Sequence, residues 1–466
     1  MRRDPVTRAA VAIWLSCCVA VAACAFGRPP SWVAIAIACA FLPYGLLLAL
    51  GFTPERRTLL ALVGSAGALA VFAPSALSDD LFRFLWDGRV LLSGVDPYAH
   101  APDSPALVSL RDAYWASINH EGVATIYPPL AQLLFASLAW VSDPRVFKGV
   151  ALLFHLALAA WLHRRSARFG FAYGANPLAL FECALGGHID VWVGFALVFA
   201  AVSLRDERPW RAALGAVAAT GLKLVGLLVL PALFRRRAAA ALLAAVMGAL
   251  MLWPLANAGH GDEGSDRAGM THYAGRWRGN GALFRGLEMA MGSAAQGIYG
   301  VEPGRLEVPG LERLEGTALD PWRAYEQEKK PVGQRAFIAT EIFGGWLARL
   351  SLMLGIGLFA VIAAWRWPPM QAVRNTLLIA LLFAPQVHPW YLLWLLPLDL
   401  MVGSYALLVW SAAALMAYVP LDLWIRAREW QDQPWLAVLQ SALVLLVLWL
   451  ERNRNELPRN SAPAHS

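Results

Sequence analysis

Two adjacent acids, Asp79 and Asp80, follow directly after an apolar run that ends near Leu77. In a chain this apolar, the end of such a run lies at a membrane surface, where charged side chains are costly unless they have a function. A carboxylate there can accept the proton of a hydroxyl as a general base. A cationic side chain beside it, such as Arg83, can hold a phosphate leaving group. We therefore take the acid pair as the predicted chemical centre of the protein.

The same segment also allows a structural interpretation, which stays open. Asp79 or Asp80 could cap the helix that follows, because Asp is favoured at N-caps, although two acids leave one of them over. Asp87 and Arg89, further along the same stretch, are predicted to be structural partners that support the site rather than catalysts.

The elements that position these residues are predicted to be transmembrane helices. Hydrophobic residues make up 58% of the 466 positions and charged residues only 15%, and apolar runs recur from end to end. A helix needs roughly 20 apolar residues to cross a bilayer, which predicts an all-α, polytopic transmembrane helical bundle with about 12 crossings. The net charge of +7 comes from basic residues in short loops. That pattern sets orientation, so we expect both termini in the cytoplasm and no nucleic-acid partner.

Two apolar stretches are too short or too interrupted to cross the membrane and are predicted to be re-entrant hairpin or half-helix elements. The first, 130–141, follows a Tyr-Pro-Pro sequence at 127–129. The second, 210–234, has basic residues at both ends and Lys223 near its tip. Irregular backbone at membrane depth occurs only where protein or a wet cavity covers it, and a lysine at that depth should face a cavity or an anion.

The chain is predicted to form a single transmembrane domain over residues 1–450. Residues 78–128 and 257–335 are expected to be its extracytoplasmic loops, and 451–466 a disordered cytoplasmic tail. The insert 303–333 in the second loop matches no pattern that assigns it a role.

Most of the polar and aromatic residues of interest converge on the predicted outer face. Arg83, Lys223 and His388 are candidate phosphate contacts, and aromatic side chains suit a sugar ring. His188 and Asp190 have the chemistry of a metal pair, but no third ligand lies at helical spacing, so no metal site is predicted. The candidates for binding a donor phosphate or sugar are Arg83, Lys223, His388, His188, Asp190, Tyr127, Trp390, Tyr391 and Glu182.

This combination suits a substrate that has a lipid tail and a polar head. The sequence has no GxxxxGK[ST] pattern and no strand-flanked GxGxxG pattern, so nucleotide binding is not expected. No cofactor is predicted, although a divalent metal stays open, and membrane lipid is an expected partner.

A set of motifs resembles the GT-C superfamily of integral-membrane glycosyltransferases. These motifs are SDDLFRFLWDGRVLLSGVDPYAHAP (78–102), INHEGVATIYPPLAQ (118–132), GGHID (186–190), LKLVGLLVLP (222–231), HYAGRWRGNGALF (272–284) and VHPWYLLWLLP (387–397). Together they cover about 78–400 and look most similar to the bacterial polyprenyl-phosphate-mannose-dependent mannosyltransferases.

The resemblance implies a transferase reaction outside the cytoplasm, in the bacterial inner membrane. Such enzymes move a sugar, mannose in this group, from a polyprenyl-phosphate donor to a lipid-linked or glycan acceptor, with inversion at the anomeric carbon. The proposed base of the family corresponds to Asp80, or to Asp79 if the register shifts by one. The family's GHxD-like turn corresponds to His188 and Asp190, and its hairpin lysine corresponds to Lys223. The first loop lacks a separated DxD, which leaves a metal requirement in doubt.

A transporter or lipid flippase without glycosyl transfer stays as the alternative from another class. Glu182, Lys223 and the broken helices fit such a protein. However, a transporter often has two similar halves and polar groups near the membrane midplane. In this chain the halves differ and the polar residues crowd one predicted face.

Overall fold

A computed structural model describes residues 4–256, 269, 279–299, 332–421 and 433–456 of the chain. Outside these residues lie most of the predicted loop 257–335, with nearly all of the insert 303–333, and residues 457–466 of the predicted tail. The predictions for those segments are therefore not addressed by the structure.

The described chain is helical, and no strand occurs in these parts of it, which confirms the all-α class for them. The first helices are α1 (Pro5–Ala25), α2 (Pro30–Ala49), α3 (Arg56–Phe72), α4 (Asp80–Leu92), α5 (Pro129–Ala139), α6 (Pro144–His163), α7 (Ala167–Gly174), α8 (Pro177–Ala184) and α9 (Asp190–Arg205). They are followed by α10 (Pro209–Leu222), α11 (Leu230–Arg236), α12 (Ala238–Ala256), α13 (Ala282–Tyr299), α14 (Val332–Arg366), α15 (Pro369–Leu382), α16 (Leu396–Met401), α17 (Ala406–Ala413) and α18 (Pro434–Glu456). Short 3-10 helices lie at Pro105–Leu110, Trp115–Ser117, Leu224–Val229, Pro389–Trp394 and Ala414–Tyr418.

Proline sets many of the helix starts. Pro129, Pro177 and Pro209 each occupy the first position of a helix, where the missing N–H has no partner to lose and the fixed φ is already helical. The predicted start after the Tyr-Pro-Pro sequence at 127–129 is therefore confirmed.

Six helices are long and apolar enough to cross a membrane, judged by length and composition over the described residues. They are Pro5–Ala25, Pro30–Ala49, Pro144–His163, Ala238–Ala256, Leu347–Arg366 and Pro434–Asn453. The count of about 12 crossings, predicted from apolar runs of near-spanning length, is not confirmed. One reason is that the runs 170–186 and 390–402 each divide into two shorter helices, where a proline begins the second helix or lies in its first turn.

Of the two predicted half-helix elements, the first is short and the second is interrupted. α5 has only 11 residues. In 210–234, α10 ends at Leu222, Lys223 has an extended backbone, and a 3-10 helix follows. The predicted interruption of 210–234 is thus confirmed, and it lies at Lys223, while the depth of both elements in a membrane stays a prediction.

The predicted tail begins later than expected. α18 continues to Glu456, so residues 451–456 are helical rather than disordered. Glu451 shows one reason, because its carboxylate accepts a hydrogen bond of 2.6 Å from the backbone N–H of Tyr405. This contact gives the polar end of the helix a partner within the fold.

The chain divides into two compact units, which are described separately. Unit 1 comprises Met1–Leu77, Leu152–Leu185 and His388–Ser466, and unit 2 comprises Ser78–Ala151 and Gly186–Val387. The single domain over 1–450 stays a prediction.

In unit 2, α4 and α5 approach closely at Gly88. A Cβ added there would overlap the carbonyl oxygen of Phe135 and would lie 2.8 Å from the Cβ of Ala139. One turn earlier on α4, the ring of Phe84 stacks on that of Phe135 with centroids 4.7 Å apart. The spacing of the two helices therefore depends on the missing side chain at position 88.

Gly88→Ala is expected to destabilise the protein, whereas Gly149→Ala should not. Overpacking a tight contact typically costs about 1–3 kcal/mol of unfolding free energy. Gly149 also lies in a helix, but a Cβ there would meet nothing within 4 Å, and alanine is the better helix former by about 1 kcal/mol. The measurement is the thermal unfolding midpoint of each purified variant in detergent, compared with that of the wild type. Equal midpoints for both variants would contradict the close packing at Gly88.

Candidate active site

The acid pair lies at the start of α4, but its carboxylates do not cap the helix. Asp80 is the first helical residue and Asp79 precedes it, and the side chain of Asp79 accepts no capping hydrogen bond. The hydroxyl oxygen of Ser78 instead accepts a hydrogen bond of 3.2 Å from the N–H of Asp80. Both carboxylates are therefore available for other contacts, which argues against the capping interpretation.

A single amide bridges the two acids. The Nδ2 of Asn119 donates to Oδ1 of Asp79 at 2.8 Å and to Oδ1 of Asp80 at 2.7 Å. Because two neighbouring carboxylates repel each other, a shared donor lowers the free energy of holding them together. Sequence reasoning did not single out Asn119, since nothing in its loop indicates which distant residues it contacts.

The environment makes Asp79 more basic than an ordinary aspartate. Asp79 is exposed as a residue, and its carboxylate lies beside that of Asp80 and the amide of Asn119. Burial, and then the negative charge of Asp80, raise the pKa of Asp79 to about 6. The hydrogen bond from Asn119 and the charge of His188 act in the opposite direction. A carboxylate with this pKa is a stronger proton acceptor at neutral pH than one at about 4.

The GGHID turn packs directly against the start of α4. Gly187 has a left-handed φ of +67°, and a Cβ on it would lie 3.2 Å from Leu81 and 3.3 Å from Lys148. Only glycine meets both the backbone and the space requirement without strain. The turn places the fully buried His188 close enough to Asp79 to affect its pKa. The predicted approach of the acid pair and the histidine turn is thus present within unit 2.

Asp190 and Lys223 form an ion pair next to this turn. The Nζ of Lys223 lies 2.7 Å from Oδ1 of Asp190, and both side chains are largely buried. Asp190 begins α9, while Lys223 lies at the break after α10. The pair joins the histidine turn to the interrupted stretch that carries Lys223. Each charge compensates the other, because a buried charge without a partner is costly.

The described residues contain no group of three or more His, Cys, Asp or Glu side chains that could hold a metal ion. His188 and Asp190 therefore have no third such ligand within this part of the chain. The absence of a required metal stays a prediction.

Arg83 has structural partners rather than an open position for phosphate. Its Nε donates to Oδ1 of Asp87 at 2.9 Å, and its Nη atoms donate to the carbonyls of His120 at 3.2 Å and Val123 at 2.8 Å. The side chain is buried, and His120 has a left-handed φ of 48°. This geometry favours a role in holding the loop over the predicted phosphate contact.

Asp87 is the buried acceptor of a small polar network. Besides Arg83, it accepts hydrogen bonds from Oγ1 of Thr125 at 2.5 Å and from Nε2 of Gln132 at 3.3 Å. Arg89 does not pair with it. Arg89 instead donates to the carbonyl of Leu110 at 3.1 Å and forms an ion pair with Asp112. The predicted supporting roles of Asp87 and Arg89 fit these contacts, but each acts through its own partners.

Tyr127 contributes mainly packing in this structure. Its ring meets the rings of Phe84 and Phe135 edge to face, each at 5.2 Å. Its carbonyl accepts a hydrogen bond of 2.8 Å from the hydroxyl of Tyr98. These contacts favour a supporting role over the predicted contact with a sugar.

Two further features near the acid pair were missed in the sequence. Lys148 is almost fully buried against Gly187. A lysine inside an apolar run often marks a functional site in a membrane protein, and this signal could have identified Lys148 in the sequence. Phe82, one helical turn after Asp79, stacks on the exposed ring of Tyr114 with centroids 5.8 Å apart. No local pattern predicts that pairing.

In unit 1, Glu182 is buried on α8 and bonded to a tyrosine. The hydroxyl of Tyr418 donates to Oε1 of Glu182 at 2.5 Å. The two residues are far apart in sequence, so this partner could not be predicted. The carboxylate of this buried glutamate thus has a hydrogen-bond donor within the fold.

Also in unit 1, the HPWY motif forms a compact aromatic cluster. His388 stacks on Trp390 at 4.3 Å, and Tyr391 stacks on Trp394 at 4.4 Å. The 3-10 helix that begins at Pro389 brings these rings together. His388 and Tyr391 are half-buried in front of the buried tryptophans, so they keep surface for a ligand.

The fold and this site describe an all-helical membrane protein with a paired-carboxylate centre. Comparison with known proteins gives the next level of detail. Residues 125–269 match Glycosyltransferase family 87, a GT-C-like family of membrane glycosyltransferases. The match covers less than half of the chain and includes His188, Asp190 and Lys223, but not the acid pair. No curated protein and no solved structure matches the chain.

The match supports the glycosyltransferase part of the predicted resemblance, and thus a donor and an acceptor substrate in general. It does not address mannose or polyprenyl phosphate.

Asp87→Ala is expected to destabilise the protein strongly. It would leave the guanidinium of Arg83 buried without its carboxylate, and breaking such a pair typically costs about 3–5 kcal/mol of unfolding free energy. The matched control is Asp206→Ala, which breaks the solvent-exposed pair of Asp206 with Arg205 and should leave the unfolding midpoint nearly unchanged. If both variants unfold at the wild-type temperature, the Arg83–Asp87 pair does not hold the loop.

Proposed function

We propose that the protein is an inverting glycosyltransferase of the bacterial inner membrane. In this proposal it moves a sugar, mannose by resemblance, from a polyprenyl-phosphate donor to a lipid-linked or glycan acceptor on the extracytoplasmic side. The observation that carries the proposal is the bridging of Asp79 and Asp80 by Asn119, beside a histidine turn whose Asp190 holds Lys223. The match of residues 125–269 to Glycosyltransferase family 87 supports the reaction class.

The proposed step needs one base and a stabilised leaving group. A carboxylate of the acid pair takes the proton from the acceptor hydroxyl, and the acceptor oxygen forms a bond to the anomeric carbon of the sugar. The bond from that carbon to the phosphate oxygen breaks, and its electron pair leaves with polyprenyl phosphate. The proton then passes to solvent. A phosphate leaving group needs little acid help, so one essential carboxylate suffices.

The cations near the pair have different proposed roles. Lys223 is the proposed contact for the donor phosphate, because its charge lies at a break in the helix beside the histidine turn. Arg83 is reassigned to holding the first loop, given its three protein partners.

The unit 1 residues keep the roles that the sequence suggested. His388 is proposed to contact the donor phosphate, Trp390 and Tyr391 to contact its sugar or lipid, and Glu182 to take part in binding the donor. The stacked rings suit such a role, because aromatic faces pack well against both apolar sugar faces and isoprenoid chains.

The pH dependence of transfer should identify the base. If Asp79 is the base, activity falls as the pH drops through about 6, because only the carboxylate accepts a proton. Asn119→Ala removes a hydrogen bond that lowers the pKa of Asp79, so the activity loss should move to higher pH. Asp80→Asn removes a negative neighbour and should move it to lower pH. The measurement is the initial rate of transfer from polyprenyl-phosphate-mannose in membranes, against pH.

Asp206→Asn serves as the control for this series, because Asp206 is a solvent-exposed acid outside the candidate site. An inactive Asp80→Asn variant at wild-type protein levels would assign the base to Asp80. Full activity with both acids replaced would rule the mechanism out. Movement of lipid across sealed vesicles without any glycan product would favour the transporter alternative instead.

Lys223 can be tested without leaving a buried charge unpaired. The double variant Asp190→Asn/Lys223→Gln removes both charges of the pair, so the fold should persist, while the phosphate contact is lost. A charge-assisted hydrogen bond contributes about 1.5–3 kcal/mol, so the KM for the donor should rise roughly tenfold to a hundredfold. The KM for the acceptor should not change. A wild-type donor KM in the folded double variant would contradict the phosphate role.

A further inference from the structure

We propose that one end of unit 2 is a binding site for anionic phospholipid headgroups. The site is an arginine cluster at the ends of α9, α11 and α14 and at the start of α10. Its members are Arg205, Arg208, Arg211, Arg235, Arg236, Arg237 and Arg366, and all of them are exposed. This proposal does not depend on the glycosyltransferase reaction.

Contacts between the helix ends bring the arginine cluster together. The Nη1 of Arg236 lies 3.5 Å from Oε1 of Glu207, which links the end of α11 to the α9–α10 connection. The Nη1 of Arg235 donates to the carbonyl of Ala364, which links α11 to the last turn of α14. Three connections that are distant in sequence therefore meet in space.

The charge of the arginine cluster is poorly compensated within the fold. The acidic residues in the connections between these helices are Asp206 and Glu207, and both are exposed. The described residues provide no side-chain hydrogen bond or ion pair for Arg208, Arg211 and Arg237. Arginine side chains in this position are suited to phosphate, because the planar guanidinium donates two parallel hydrogen bonds to its oxygens.

Exposed aromatic side chains lie among the arginines. Trp210, Phe234 and Trp365 are each more than half exposed, and each is adjacent in sequence to an arginine of the cluster or one residue from it. Aromatic residues next to basic residues at helix ends are typical of the interface between lipid headgroups and hydrocarbon. Their exposure fits a membrane ligand better than a soluble one.

The helix surfaces next to the arginine cluster are apolar and exposed. Leu214 lies one turn after Arg211, and Ile362 lies one turn before Arg366. If a lipid headgroup binds the arginines, the acyl chains of that lipid would thus lie alongside these apolar residues. The expected ligand is an anionic glycerophospholipid rather than free phosphate, and electrostatic attraction to basic residues next to a membrane is known to be substantial.

The test compares lipid retention by wild-type and variant full-length protein. Purified protein is incubated with mixed micelles of equal phosphatidylglycerol and phosphatidylcholine, and retained lipids are counted by native mass spectrometry. Wild type should retain phosphatidylglycerol in clear preference. Because each basic residue near an anionic headgroup contributes about fivefold to binding, Arg208→Gln/Arg211→Gln/Arg237→Gln should reduce the preference by at least about tenfold.

Two matched variants distinguish a loss of this site from a loss of total positive charge and from misfolding. Arg56→Gln/Arg57→Gln/Arg164→Gln removes the same charge from exposed positions of unit 1 and should keep the preference. Arg208→Lys/Arg211→Lys/Arg237→Lys keeps the charge and should retain most of it.

Three results would overturn the proposal. The first is the absence of any preference in wild type, and the second is an equal loss in both glutamine triples. The third is displacement of the lipid by inorganic pyrophosphate at concentrations similar to those of the lipid, which would indicate a site for soluble phosphate.

Discussion

The buried ion pair of Arg83 and Asp87 positions the rest of the candidate site. Both residues lie on α4, the helix that begins with the acid pair. Their hydrogen bonds therefore attach segments that are distant in sequence to that helix. Arg83 holds the carbonyls of His120 and Val123, on either side of the turn that follows Asn119. Asp87 holds Thr125 and Gln132 at the entry to α5. A buried charge pair persists only when its remaining hydrogen-bonding groups are also satisfied, and here the loop supplies those groups.

The same principle explains how a charged site is maintained in so apolar a chain. Asp190 and Lys223 neutralise each other at a helix start and a helix break, and Asn119 offsets the repulsion between the two acids. Charged groups in low-dielectric surroundings interact strongly, so each of these contacts fixes geometry as well as charge. In unit 1, the buried carboxylate of Glu182 likewise has a partner, the hydroxyl of Tyr418.

Local sequence signals predicted the local features of the fold. The helix starts at proline, the interruption beside Lys223 and the glycine turn before His188 all depend on residues within a few positions. Contacts over long sequence separation were not predictable in this way. The partners of Asn119, Arg83 and Glu182 lie far from them in sequence, and the sequence does not indicate which distant segments meet in space. The predicted number of crossings is not confirmed, because hydrophobicity alone does not reveal where proline divides a run.

The role of Asn119 as a bridge has a consequence for the lifetime of the protein. Asparagine is one of the thermolabile residues of proteins, and hydrolysis of its side-chain amide gives aspartate. At this position the reaction would replace the shared donor by a third carboxylate facing Asp79 and Asp80. Chemical ageing of one loop residue would then convert an attraction into a repulsion at the centre of the site, with no change to the surrounding helices.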